Sequence, residues 1–143
     1  MNKIIEYLSR AHWIRVKISK LELMLAEYNA RASSTPSQSF DKEIIDKSRD
    51  FDAPFIKWVY KAIETEDKIN SLKEQLAKVE EETMDFIEKL PNLDYRLILV
   101  YRYLNWLSWD KIADKMYYSS ATIRRWHTLA IDELEKLSNN EQV

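Results

Sequence analysis

A chain of 143 residues, 45% apolar and 32% charged, can build one ordinary domain or two small ones, and its net charge of −2 excludes binding of nucleic acid through bulk positive charge. The absence of cysteine rules out disulfides, thiolate zinc sites and thiol catalysis. The absence of glycine rules out a Gly-rich phosphate loop and disfavours two-residue hairpins, so an all-α fold joined by short polar turns is expected.

The first residues, MNKIIEYLSRAHWIRVK, are interrupted by charge every few positions and hold no apolar run suited to a signal peptide or a membrane span. A cytoplasmic protein with no membrane partner is expected. Ile4, Tyr7, Ala11, Ile14, Ile18, Leu21, Leu25 and Tyr28 follow at alternating spacings of three and four, which predicts a helix over 3–30 that packs against another helix. Ser, Thr and Pro in RASSTPSQSF (31–40) end it. Residues 41–50 read as a short helix or a loop. Asp50 or Asp52 can cap the next helix, with Pro54 in its first turn.

The second long helix is predicted over 55–90. Its seam runs through Phe55, Trp58, Ala62, Ile69, Leu72, Leu76, Val79, Thr83, Phe86 and Leu90. The acidic run Glu80-Glu81-Glu82-Thr83-Met84-Asp85 reads as a solvated face. Two narrowly apolar helices of this length suggest an antiparallel coiled-coil-like hairpin over 1–90, doubled by homodimerisation. Pro91 stops the second helix, and a domain boundary is expected there.

Residues 91–143 have a denser, aromatic texture. A helix over 93–105 is expected to turn Leu93, Leu97, Val100, Tyr101 and Leu104 inward. Ser108 should cap a helix from Trp109 to Met116, with Ile112, Ala113 and Met116 inward. Tyr117-Tyr118-Ser119 forms the turn, and Ser119 caps a last helix from about Ser120 to Leu137. Its inner positions are Ile123, Trp126 or His127, Ala130, Leu134 and Leu137. The small Ala113 lets the two helices cross closely. The outer face of the last helix then offers Ser120, Ala121, Thr122, Arg124, Arg125 and Thr128. Arginine can pair with guanine O6 and N7 in a major groove, and Ser or Thr can reach phosphates or base edges. Ser108, Trp109 and Lys111 would brace the backbone, and Ser119 and His127 complete the candidate set.

The string Leu107-Ser108, Ile112-Ala113, Met116, Ser119, Thr122-Ile123-Arg124, closed by Ala130 and Leu134, resembles region 4 of bacterial sigma factors. The Leu99, Tyr101-Arg102-Tyr103 stretch before it is similar to the helix that enters that motif. This resemblance covers about residues 93–137. The wider layout, two long helices before such a module, is similar to the phage late transcription regulators of the ArpU/RinA-like group. The resemblance implies a helix-turn-helix that reads duplex DNA, regulates late gene expression of a phage or prophage in a bacterial cytoplasm, and works beside RNA polymerase.

Two features depart from that pattern. Tyr117 stands where such turns usually carry glycine. Residues 91–143 balance seven Lys/Arg against seven Asp/Glu, so the module is neutral. Two other readings stay open: a DNA-packaging component of the terminase small-subunit kind, and a helical adaptor that binds RNA polymerase without touching DNA. His12 and His127 have no ligand-spaced partners, and no catalytic set is evident, so neither a metal, a cofactor nor an enzyme is expected.

Overall fold

The computed structural model describes residues 2–33 and 54–141, and all its regular elements are helical. They are α1 (Lys3–Leu8), α2 (Arg10–Ser33), α3 (Pro54–Ile87), α4 (Leu93–Leu99), a π-helical turn (Val100–Leu104), α5 (Trp109–Met116) and α6 (Ser120–Glu141). The protein is all-α. The chain divides into two compact units, one made of Met1–Arg15 and Gln75–Val143, the other of Val16–Glu74.

In the first unit, α1 begins where Asn2 accepts the Ile4 amide at 2.8 Å. Its end runs almost directly into α2, because the Ser9 amide still donates to the Ile5 carbonyl at 2.9 Å. The first turns of α2 lie antiparallel to the end of α3. Ala11 and Ile14 meet Leu76, Val79 and Met84, Arg10 pairs with Glu82 at 3.1 Å, and Arg15 pairs with Glu80. The acidic run is therefore not simply a solvated face: two of its carboxylates hold α2, and Thr83 is fully buried.

Pro91, where the sequence suggests a domain boundary, lies inside this unit. Leu8, Ile87 and Leu90 before it share one core with Leu99, Tyr103, Ala130, Ile131 and Leu134 after it. The end of α3 is tied to α4 as well, since Arg96 Nε donates to the Leu90 carbonyl at 2.5 Å. α3 ends at Ile87 rather than Leu90.

The inward face of 93–105 differs from expectation in part: Leu104 is buried and Leu97, Val100 and Tyr101 are half-buried, as their spacing predicts. Leu93 is exposed, and the fully buried side chains are Ile98 and Leu99, followed by Tyr103 and Leu104. The winding also changes along this stretch. Past Leu99 the backbone widens into a π turn, with the Asn105 amide reaching back five residues to Val100 at 3.1 Å. A single stripe at a period of 3.6 therefore leaves out Ile98, Leu99 and Tyr103, which two separate cores take up. Leu99 and Tyr103 enter the core with α6, and Ile98 enters a second core with Ile112, Ala113 and Ile123.

In the second unit, Ile18, Ala62, Thr65 and Ile69 are the buried side chains among the described residues. Tyr28 stacks on Trp58 with ring centroids 5.9 Å apart, and Arg31 and Lys61 lie over those rings. The expected seam positions are buried or half-buried along both long helices. α2 runs three residues past its expected end, to Ser33. The expectations for 34–50 and for an aspartate cap before Pro54 lie outside the described residues.

Candidate nucleic-acid interface

The end of the chain is built as two capped helices around a tight turn. The Lys111 amide donates to Ser108 Oγ at 3.2 Å and the Thr122 amide to Ser119 Oγ at 3.2 Å, so α5 and α6 each start on a serine that satisfies an otherwise orphan amide. Tyr117 closes α5 in the left-handed region, with φ 61° and ψ 37°. Its ring is 93% exposed, so nothing packs it into place. Strain on the order of 1 kcal/mol follows from the Cβ in that conformation. The turn is held instead by Tyr118, whose ring meets Trp126 edge-on at 4.6 Å and whose hydroxyl approaches Asp94 at 3.5 Å.

Ile112 and Ala113 of α5 pack on Ile123 of α6, with Met116, Trp109 and Trp126 half-buried around them. Burying Ile123 turns the neighbouring positions of α6 outward. Ala121, Arg124, Arg125 and Thr128 are exposed, and Ser120 and Thr122 are half-buried. Among the described residues, neither guanidinium of Arg124 and Arg125 takes part in an ion pair or hydrogen bond. Thr128 Oγ1 donates to the Arg124 carbonyl at 3.2 Å, and Ser120 Oγ donates to Asp110 Oδ1 at 2.6 Å. Ser108 and Lys111 are exposed at the start of α5.

Two candidates are held differently from the sequence reading. His127 turns inward: its Nε2 lies 2.6 Å from the Tyr103 hydroxyl, and its ring meets Trp109 edge-on at 4.8 Å. Burial, followed by the charge of Arg102, holds His127 down to about 4, and burial pushes Tyr103 up to about 12. A neutral imidazole accepting from a protonated phenol agrees with both shifts. A ring so engaged is a core hydrogen bond and not a groove contact. Trp109 is occupied too, with the Arg102 guanidinium 4.3 Å above its ring. Arg102 also covers Trp106 at 5.4 Å and donates to the Leu107 carbonyl at 2.9 Å. Arg102 is the organising cation that sequence reasoning missed: it gathers Trp106 and Leu107 of the connecting segment and Trp109 of α5.

Trp106 carries a second strained backbone, φ 52°, and its ring stacks on His12 at 3.5 Å with planes 4° apart. No group of His, Cys, Asp or Glu among the described residues could hold a metal ion, and no described helix is long and apolar enough to cross a membrane.

No curated protein and no solved structure matches the chain. A protein-family model described as "Protein of unknown function (DUF1492)" matches residues 34–135, most of the chain and all of the two capped helices as far as the fourth turn of α6. The chain belongs to the DUF1492 family.

Proposed function

We propose that this protein is a sequence-specific duplex-DNA-binding regulator of transcription, with α5 and α6 acting as a helix-turn-helix and α6 as the groove-reading helix. The observation that carries the reading is the pair of unpartnered, exposed guanidiniums of Arg124 and Arg125, one turn into a helix whose opposite face is anchored by Ile123. Ala121 beside them is small enough for close approach to base edges, and Ser120, Thr122 and Thr128 add hydroxyls. Exposed Ser108, Ser119 and Lys111, at the starts of the two helices, are assigned to the phosphate backbone in this reading. The resemblance to sigma region 4 and to ArpU/RinA-like regulators supports promoter DNA of late phage genes as the target and RNA polymerase as a neighbour. Apolar side chains exposed on α2 and α3, among them Leu23, Tyr60 and Ile63, support a homodimer.

Selection of bound duplexes from a random pool, at two salt concentrations, tests this. An enriched motif whose binding weakens as salt rises is expected. Replacing Arg124 or Arg125 by alanine should cost about 1–3 kcal/mol on the selected duplex if the arginine reads a guanine, or flatten the salt slope if it holds a phosphate. The equal count of acidic and basic residues over 91–143 favours a second reading, a helical adaptor that binds protein rather than DNA. Regulation unchanged by the double arginine substitution would select the adaptor. A ring-sized oligomer in light scattering would select a packaging component.

A further inference from the structure

A serine hydroxyl in a groove is ordinarily a poor reader of sequence, because it rotates: it can donate one proton to an acceptor or accept through its lone pairs. Ser120 lacks that freedom. Its Oγ lies 2.6 Å from Asp110 Oδ1, and a carboxylate only accepts, so the hydroxyl proton is committed to Asp110. The neighbouring hydroxyls are engaged in another way. Ser119 Oγ accepts the Thr122 amide at 3.2 Å and donates to Thr122 Oγ1 at 2.9 Å, so Ser119 is spent on capping. Ser120 is thus a hydroxyl at the start of α6 with its proton fixed and its lone pairs unclaimed. Asp110 lies at the second position of α5, which Ser108 caps, so both ends of the bond are set by ordered helix starts.

We infer that Asp110 sets the hydrogen-bond polarity of Ser120, making it an obligate acceptor that selects a base presenting a major-groove donor, adenine through N6 or cytosine through N4, and disfavours guanine and thymine at one position of the bound site. This rests on the DNA-binding reading above. In the major groove only adenine and cytosine show an exocyclic amine, whereas guanine O6 and thymine O4 are acceptors that would face the Ser120 lone pairs and, behind them, the Asp110 charge. A serine without Asp110 would turn its proton outward and serve either class.

The test compares duplexes selected by the full-length protein, by Ser120→Ala and by Asp110→Ala. The wild-type motif should contain one position restricted to adenine or cytosine by about three- to tenfold. Ser120→Ala should lose that preference there alone. Asp110→Ala should relax the same position towards all four bases, while the loss of one negative charge strengthens binding evenly across sequences. The inference is overturned if Ser120→Ala changes a position where the wild type prefers guanine or thymine. It is also overturned, with the DNA reading intact, if a motif is enriched but both variants select it unchanged. Failure of the wild-type chain to enrich any motif would overturn the DNA reading and this inference together.

Discussion

Both compact units draw on α2 and α3, yet they bury their side chains to very different depths. In Val16–Glu74 the seam closes over Ile18, Ala62, Thr65 and Ile69, while Leu23, Tyr60 and Ile63 stay exposed. In the other unit Leu8, Ile87, Leu90, Leu99, Ala130 and Leu134 reach zero exposure. The same alternation of three and four therefore specifies which residues face a partner helix, but not how completely they are covered. Full coverage appears where α4 and α6 add a further layer over α1 and the end of α3. A helix pair with one apolar stripe leaves most of its surface wet, and its amides are expected to exchange faster than those of α6.

The most forceful way to break this contrast is a cavity. Leu134→Ala should destabilise the layered unit by about 2–5 kcal/mol in urea unfolding. A loss below about 1 kcal/mol would mean that core is loosely packed.

Next comes acid. His12 and His127 both lie in the layered unit, and both are held below the ordinary histidine value, His127 by burial and then Arg102, His12 by burial and then Arg15 and Arg102. Between about pH 6.5 and about 4 the unfolded chain takes up a proton at His127 that the folded chain refuses. Stability should therefore fall as pH drops through that window, and this contribution should end below about 4. The expected loss is on the order of 1–2 kcal/mol, reduced because the ring is not wholly shielded from water. It should register in exchange of α6 amides more than in residues 54–74, and His127→Gln should shrink it. A pH-independent α6 would contradict the inward placement of the imidazole.

A smaller, opposite effect is expected from Tyr117→Gly. The ring packs on nothing, so removing it should relieve the left-handed strain and stabilise the fold by about 0.5–1 kcal/mol, read as a higher thermal midpoint. Smallest of all, Leu23→Ala in the thinly packed unit should stay within about 0.5 kcal/mol at dilutions where the chain is monomeric. A penalty that grows with protein concentration is expected from the proposed homodimer, and a concentration-independent one would contradict the exposure of Leu23.

Both ends of α5 and the start of α6 were legible in the sequence because their signals are local: Ser108 and Ser119 cap amides three residues away, and Tyr117 takes the turn position usually left to glycine, whereas α6 runs past its expected end at Leu137 to Glu141. The long seams were legible for the same reason. The helix ahead of them was legible in part: Leu97, Val100, Tyr101 and Leu104 face inward as their spacing predicts, but Leu93 is exposed, and no residue type announces the π turn. The expected break at Pro91 marks a helix end, but a proline says nothing of which cores meet across it. In the candidate site, exposure of Arg124 and Arg125 followed from the burial of Ile123. For His127 the sequence left an inner position and a groove contact both open, because its partner Tyr103 lies 24 positions away and outcompetes solvent only once both are enclosed. The bond from Ser120 to Asp110 joins two helices and has no signature within either.

The widened winding at Val100–Leu104 has a consequence for how this family tolerates change in length. A π turn holds about one residue more than an ordinary turn, and here it ends the helix, with residues 105–108 leading on to α5. Loss of a single residue there can be absorbed by tightening to normal pitch, leaving the two capped helices in nearly the same attitude. The same loss within Trp109–Met116 would rotate every later side chain by about 100° and drag Ile123 out of its core. Relatives one residue shorter are expected to have their gap between Val100 and Leu104.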